Sequence, residues 1–501
     1  MNNGKICISI SAETSAELLK KFERAEATAD VVELRFDGMR AAEVRLVFAA
    51  LKPTKPVLFT YRPRSQGGNA PDAAVDRVGF WMSLFSECEV EKELMWLDNE
   101  IDLGTSLKWS GGHTSIRSFH DFSGVPDNLD AIYRDLEQLG NILKIAAAVE
   151  NATHAIPLWK LLEHADENHD IIPIAMGEAG KWTRALSLAH GAFMTYASLE
   201  SSSETAPGQI SADDLINVFR VKELDRDTEA YGLIAGDTGY SVSPWMHNAA
   251  FKEREMNCVF VPFQTNDLDE FMRRMVMPET REVELNLRGF SVTNPHKKEI
   301  IRYLDRLDET AKKIGAVNTV KIENGKLLGY NTDAHGFITP LKKVLNTLKG
   351  KRVAIAGAGG AARACTYALK QEGADVTIYA RKQRNAIAFA EEFDVKYGNA
   401  TNSFRPGTVD ILVNTTPLGT KGENENAAIV SGNQLSGIKL IYDLVYNPLE
   451  THLLFEARRA GIQAIGGLEM LVAQGAKQFE IWTGQPAPIQ KMAAAVKKKL
   501  K

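Results

Sequence analysis

The chain has 501 residues, 44% hydrophobic and 25% charged, with a formal net charge of −5. This is ordinary globular composition, with material for about three domains of roughly 150 residues each. The charge balance and lack of a basic run speak against general nucleic-acid binding, and no apolar stretch approaches the ~18 residues that span a bilayer. The start, MNNGKICISIS, has no basic segment leading into a long apolar one, so no signal or transit peptide is read. A cytoplasmic location is expected, and a plastid stays compatible with a trimmed transit peptide. Cys7, Cys88, Cys258 and Cys365 are far apart, as reduced thiols would be, and the ten histidines form no paired pattern, so no metal is expected. The sequence carries no signal for oligomeric state.

From the start to about residue 218, short apolar runs alternate with helical patterns. The runs begin near 5 (KICISI), 31 (VVELRF), 56 (PVLFTY), 94 (LMWLDNEI), 114 (TSIRSF), 142 (ILKIAA), 171 (IIPIAM) and 193 (FMTYAS). Eight strand–helix units in succession favour a closed (β/α)8 barrel over a doubly wound sheet. Barrels carry their chemistry at the carboxyl ends of the strands, and polar residues fall there in turn. Glu33 and Arg35 end the second strand, Arg62 follows the third, and Asp98 and Glu100 end the fourth; His120 follows the fifth and Arg184 comes after the seventh.

Lys144 stands out because it interrupts the apolar run of the sixth strand. Alone, such a lysine is explained equally by snorkelling or by pairing with a carboxylate. Desolvation can also lower a lysine pKa by as much as roughly 3–5 pH units, leaving an amine that attacks carbonyls. The polar residues ringing the other strand ends favour this functional reading.

A charge-mixed stretch at 219–230 reads as a junction between modules. The strand–helix rhythm restarts at 231 with YGLIAGDTGYSVSP, and at 351 comes KRVAIAGAGGAARACTYALKQEGADVTIYAR. That is the strand, glycine turn, helix and strand of a dinucleotide-binding unit. Gly357, Gly359 and Gly360 allow a tight turn and close backbone approach to a pyrophosphate, with Ala361 opening the helix and Ala362 at the third fingerprint position. The second strand ends in Arg381, Lys382 and Arg384 where an acid would bind ribose hydroxyls, so a 2′-phosphate and hence NADP is expected.

The first module resembles type I 3-dehydroquinate dehydratase in ELRFD (33–37), YR (61–62), SFHDF (118–122), ILKIA (142–146), MGEAGKWTR (176–184) and TAPGQ (205–209). The resemblance implies a Schiff base on Lys144, acid–base work by His120, and substrate contacts from Glu33, Arg35, Arg62, Arg184, Thr205 and Gln209. Two departures stand out. Gln66 precedes the double glycine where the family usually has glutamate, and Thr205 replaces a usual serine.

The second module is similar to shikimate dehydrogenase in SVSP (241–244), SVTNPHK (291–297), GAVNT (315–319), GYNTD (329–333), the glycine loop, NTTPLG (414–419), YDLVYNP (442–448) and GGLEMLVAQG (466–475). Ser291 and Thr420 are minor departures from that pattern. The resemblance makes Lys297 and Asp333 the catalytic pair. It implies that Ser241, Ser243, Thr293, Asn318, Tyr446 and Gln474 hold the substrate, and that Asn414, Thr415, Gly467 and Met470 join the glycine loop on the cofactor.

The expected division is a barrel at 1–218, a linker at 219–230, a substrate domain at 231–335 plus 468–501, and a Rossmann NADP-binding domain at 336–467. The expected chemistry is dehydration of 3-dehydroquinate, then NADPH-dependent reduction of 3-dehydroshikimate to shikimate. Small molecules are the expected partners. Two alternatives stay open here: a dehydrogenase half that prefers quinate, and a barrel that is weakly active or serves as a regulatory ligand-binding module.

Overall fold

The computed structural model describes residues 2–84, 87–104, 113–165, 167–201, 203–398, 407–430 and 432–501. The chain forms two compact units, residues 1–240 with 257–287, and residues 241–256 with 288–501.

In the first unit the eight apolar runs become β1 (Lys5–Ser11), β2 (Val31–Arg35), β3 (Val57–Thr60), β4 (Met95–Glu100), β5 (Thr114–Asp121), β6 (Ile142–Ala148), β7 (Asp170–Met176) and β8 (Met194–Ser198). They pair in parallel in the order β7-β6-β5-β4-β3-β2-β1-β8, with the short β9 (Ile210–Ser211) beside β8. The Phe193 N–H donates to Ile171 O at 3.0 Å, a bond that joins the two ends of the sheet into a barrel. Such strands read as unbroken apolar runs because both faces are buried. Cys7, Val31, Leu58, Trp96, Ile116, Ile172 and Met194 fill the interior, while Phe36, Phe48, Phe59 and Trp81 pack edge-on or stacked outside it. Parallel pairing brings all the carboxyl ends to one rim.

The outer helices follow local signals. The helix Ser15–Glu26 starts where the Thr14 side chain accepts the Glu17 N–H, and it buries Leu18, Phe22 and Ala25 at the spacing of one face. Within the same unit, β10 (Glu229–Ala235) and β11 (Cys258–Gln264) pair in parallel, and Phe263 of β11 packs on Trp182.

The second unit holds β12 (Leu287–Val292), β13 (Arg306–Leu307), β14 (Thr319–Glu323) and β15 (Lys326–Tyr330), in the order β12-β14-β15-β13. β14 and β15 form a hairpin over Asn324-Gly325, both at positive φ, the pair that a two-residue turn favours.

Its second sheet is wholly parallel: β16 (Arg352–Ala356), β17 (Asp375–Tyr379), β18 (Lys396–Tyr397), β19 (Ile411–Asn414), β20 (Leu440–Asp443) and β21 (Gln463–Ile465). The order β18-β17-β16-β19-β20-β21 is the 3-2-1-4-5-6 arrangement of a Rossmann domain. Alternation along each strand feeds two cores. Val353, Ile355, Ile411 and Val413 face the helices Asp333–Val344 and Gly360–Gln371, whereas Ala354, Ala356 and Leu412 face the helix His452–Arg459. The order reverses between β16 and β19, so the crevice above their carboxyl ends is the binding place that this topology creates. Among the described residues, no helix is long and apolar enough to cross a membrane.

Candidate active sites

The barrel site begins with alternation along the strands. Ser118 and His120 on β5 point inward with Lys144 and Ala146 on β6, in the register Ser118↔Lys144 and His120↔Ala146. Glu33, Arg35, Arg62, His120, Lys144, Arg184, Thr205 and Gln209, the residues singled out from sequence, all line one pocket.

Lys144 is 5% exposed, and its Nζ lies 3.3 Å from Asp98 Oδ2, 3.9 Å from Glu33 Oε1 and 4.0 Å from the centre of the Tyr196 ring. The lysine thus has carboxylate neighbours together with access to the pocket. Glu33 is itself fixed, accepting from Ser9 Oγ and, at 2.9 Å, from Thr60 Oγ1.

Arg62 is the hub. Its Nη2 donates to Asp98 Oδ2 at 2.6 Å, and its Nη1 lies 3.0 Å from Ser118 Oγ and 2.8 Å from His120 Nδ1. An arginine has no acceptor, so His120 must offer a lone pair at Nδ1. Gln66 Oε1 lies 3.3 Å from the same nitrogen. The double glycine after Gln66 makes this placement possible. Gly67 sits at φ +78° against the Phe122 ring, and a Cβ on Gly68 would meet Arg62 O at 2.1 Å.

Burial first, then Arg62, Lys144 and Arg35, hold the His120 imidazole pKa well below its ordinary 6.5, so the ring is neutral at pH 7. A neutral imidazole has one lone pair and one N–H, as a group that takes and returns a proton needs. Burial pushes Asp98 up, but Arg62, Lys144 and the Ser118 hydroxyl overrule it and keep this carboxyl below its usual range. Glu100 goes the other way. Burial, reinforced by Asp98, pushes it up to about 8 against the opposing pull of Arg62 and Arg77.

Arg184 is the clearest sign of a ligand. It is 2% exposed and donates only a long 3.4 Å bond from Nη2 to Pro207 O, while Nε and Nη1 lack hydrogen-bond partners among the described residues. Burial pushes its pKa down to about 10, with Glu204 partly countering. A buried guanidinium with two idle donors matches the fork of a carboxylate. Arg35 is committed elsewhere, to Asp37 at 2.7 and 3.0 Å. Thr205 and Gln209 bind each other: the Thr205 N–H donates to Gln209 Oε1 at 2.8 Å, and Gln209 Nε2 donates to Thr205 Oγ1 at 3.1 Å.

Sequence reasoning noticed Asp98 and Glu100 at a strand end without giving them a role, and it missed Ser118 and Tyr196. The inward alternation of Ser118 with His120 was the available signal for the serine.

In the second unit, Lys297 Nζ donates to Asp333 Oδ2 at 2.6 Å, and Asn318 Nδ2 donates to Asp333 Oδ1 at 2.9 Å. Asp333 is the first residue of its helix, and the Asn331 side chain accepts its N–H. Asn318 is fixed in turn by the Thr332 N–H and the Thr319 hydroxyl, both at 2.8 Å, and lies 3.4 Å from Gln474 Oε1. Both carboxylate oxygens are therefore occupied, which holds the ammonium in one place. Ser241 and Ser243 bond each other at 3.2 Å at the start of the helix Ser243–Glu253. Thr293 follows β12, and Tyr446 follows β20.

The glycine loop adjoins this pair: a Cβ on Gly360 would lie 3.6 Å from Lys297 Cδ. Gly357 has φ +119°, and a Cβ there would strike Thr415 Oγ1 at 2.2 Å, whereas Gly359 faces open space. Arg381 and Lys382 lie in the turn after β17 and Arg384 in the first turn of the helix Gln383–Phe393; all three are exposed and have no ion pair among the described residues. An open glycine cradle at a helix N-terminus, with idle cations beyond the next strand, fits NADP. Gly467 lies tight against Leu444 O, and Met470 is buried. The Asn414 side chain is spent on Leu418 O, Asp443 and Thr416, so it shapes the loop after β19.

Comparisons with known proteins match both halves of the chain to known families. Residues 6–226 match the type I 3-dehydroquinase family, residues 233–320 the shikimate dehydrogenase substrate binding domain, and residues 467–497 the shikimate 5′-dehydrogenase C-terminal domain. A chloroplastic bifunctional 3-dehydroquinate dehydratase/shikimate dehydrogenase of Arabidopsis thaliana is 32% identical over 97% of this chain and 83% of its own length. A shikimate dehydrogenase (NADP(+)) of Methanococcus maripaludis is 39% identical over 56% of this chain and all of its own. A solved shikimate dehydrogenase in complex with NADP+ aligns with a TM-score of 0.52 at 39% identity, over 56% of this chain and 98% of its own. The chain belongs to the bifunctional 3-dehydroquinate dehydratase/shikimate dehydrogenase family.

Proposed function

We propose that the first unit dehydrates 3-dehydroquinate through a Schiff base on Lys144, and that the second reduces the resulting 3-dehydroshikimate to shikimate with NADPH. The observation that carries the first half is Lys144 and the idle Arg184 fork in one pocket, an amine for a ketone and a cation for a carboxylate. Condensation with Lys144 gives an iminium that draws electrons from the neighbouring carbon. His120, neutral at pH 7, takes the proton from that carbon and returns one to the departing hydroxyl. With Arg62 donating to Nδ1, the hydrogen of the neutral ring sits on Nε2, so Nδ1 must be released from Arg62 to take that proton; Arg35, Thr205 and Gln209 complete the wall.

In the second unit Lys297, steadied by Asp333, gives a proton to the oxygen of the ketone as it is reduced. Asn318 fixes Asp333, and Ser241, Ser243, Thr293, Tyr446 and Gln474 hold the substrate. Bound NADPH supplies the hydride. Gly357, Gly359, Gly360, Ala361, Thr415, Gly467 and Met470 would form its cradle, and Arg381, Lys382 and Arg384 would meet its 2′-phosphate.

The proposed division is 1–218 for the barrel, 231–335 with 468–501 for the substrate domain, and 336–467 for the nucleotide domain. The family matches to 6–226 and 233–320 support the first boundary. A cytoplasmic location is part of the proposal, supported by four cysteines none of which is in a disulfide. Borohydride added with 3-dehydroquinate tests the first chemistry. The adduct should map to Lys144 by peptide mass; an adduct elsewhere, or none, rejects it. For the second, 3-dehydroshikimate should drive NADPH oxidation, and a faster rate with NADP and quinate than with NADP and shikimate would reassign the substrate.

A further inference from the structure

Schiff-base formation changes the shape of the charge on Lys144. As an ammonium, Nζ has three N–H bonds to offer. On condensation two of those protons leave with the carbonyl oxygen as water, a C=N bond forms as the C=O bond breaks, and the nitrogen keeps one hydrogen and its positive charge. The product cation is planar, with one N–H and two open faces.

The neighbouring carboxylates are poorly placed to serve those faces. Asp98 Oδ2 accepts from Lys144 Nζ at 3.3 Å, a partner for the one N–H that remains, and it is also held by Arg62 Nη2 at 2.6 Å while Oδ1 accepts from the Ser118 hydroxyl. Glu33 accepts from Ser9 and Thr60, and its nearer oxygen stays 3.9 Å from Nζ. What lies over the nitrogen is an aromatic face. The ring centre of Tyr196, which comes from β8, is 4.0 Å from Nζ, and the side chain lines the same pocket. A cation over a ring face is held by the ring's quadrupole, more strongly where water is excluded. Tyr196 and Lys144 are 4% and 5% exposed.

The hydroxyl does not explain this placement. It is buried without a hydrogen-bond partner among the described residues, an arrangement that disfavours tyrosine if the side chain only fills space. The useful part of the residue is therefore its ring.

We propose that Tyr196 is a further catalytic residue of the dehydratase, whose ring face stabilises the iminium formed on Lys144. This rests on the Schiff-base reading of Lys144 given above.

The test replaces Tyr196 in the full-length chain by phenylalanine and then by 4-fluoro-, 3,5-difluoro- and 3,4,5-trifluorophenylalanine. Fluorine drains the ring face while nearly preserving its shape, so folding is not the variable. The readouts are the single-turnover rate of the borohydride-trapped adduct, kcat and KM with 3-dehydroquinate. The expected result is a phenylalanine variant within about threefold of the parent in kcat. Adduct formation and kcat should then fall stepwise to about tenfold below it, while KM moves less than about twofold. A flat series overturns the proposal, as does a Tyr196→Phe variant already as slow as the trifluoro variant, which would assign the effect to the hydroxyl. An adduct on Lys144 with a flat series rejects only the role of Tyr196; no adduct on Lys144 in the parent rejects the Schiff-base reading and the proposal with it.

Discussion

Replacing Arg184 by methionine should weaken substrate binding by the dehydratase while stabilising the unit that contains it. The guanidinium is buried, with Nε and Nη1 idle, and the protein meets the cost of an under-paired charge in order to keep a carboxylate receptor. Burial that pushes its pKa down to about 10 corresponds to roughly 3 kcal/mol against the charged form. Methionine removes that penalty and keeps most of the volume, so a net gain of about 1–3 kcal/mol is expected. At roughly 2–4 °C per kcal/mol for a unit of this size, the melting temperature should rise by about 2–12 °C. The substrate meanwhile loses charge-assisted hydrogen bonds worth about 1.5–3 kcal/mol, so KM should rise roughly 10- to 150-fold. Initial rates of dehydration and a calorimetric scan of the same preparation measure both effects. An unchanged KM would place the carboxylate elsewhere, and a lower melting temperature would refute the reasoning about the idle charge.

Gln66→Glu puts a carboxylate about where Gln66 Oε1 now lies, 3.3 Å from His120 Nδ1, favouring the imidazolium. The acid limb of the dehydratase pH–rate profile should therefore move to higher pH; an unmoved limb would separate Gln66 from His120. Glu100→Gln tests the buried carboxyl. Glu100 binds its proton up to about pH 8 when folded and about 4.5 when unfolded, so its contribution to stability declines as pH rises across that window. The parent should lose more melting temperature than the variant between pH 5 and pH 8.5, and parallel curves would contradict this. Arg381→Ser should raise the KM for NADPH about 10- to 100-fold and leave that for NADH within about threefold. Equal losses with both cofactors would move the 2′-phosphate away from this cluster.

The barrel was legible because parallel strands covered on both faces read as apolar runs, and Lys144 because it breaks one. The glycine loop and basic cluster were legible because backbone approach and phosphate charge restrict residue choice so strongly. Tyr196 was not, since a tyrosine in FMTYAS is what any strand accepts. Its inward aim depends on pairing with Cys7 of β1. Asp98 and Glu100 showed as strand-end acids, but their opposite protonation preferences depend on Arg62 and Arg77, 36 and 23 residues distant, and on full burial. Arg184 was visible as a cation, whereas its idle donors appear only once the chain has closed around it. Asn414 shows the reverse limit: a motif residue assigned to the cofactor spends its side chain on its own loop.

The most direct measurement is a coupled assay in which 3-dehydroquinate and NADPH are supplied together and loss of reduced-nicotinamide absorbance is followed in the parent, Lys144→Ala and Lys297→Met. The parent should oxidise NADPH. Lys144→Ala should be silent with 3-dehydroquinate and active with 3-dehydroshikimate, and Lys297→Met should still dehydrate 3-dehydroquinate but leave NADPH untouched. NADPH oxidation from 3-dehydroquinate at the parental rate in either variant, or a parent inert to both substrates, would contradict two consecutive reactions carried by these two lysines.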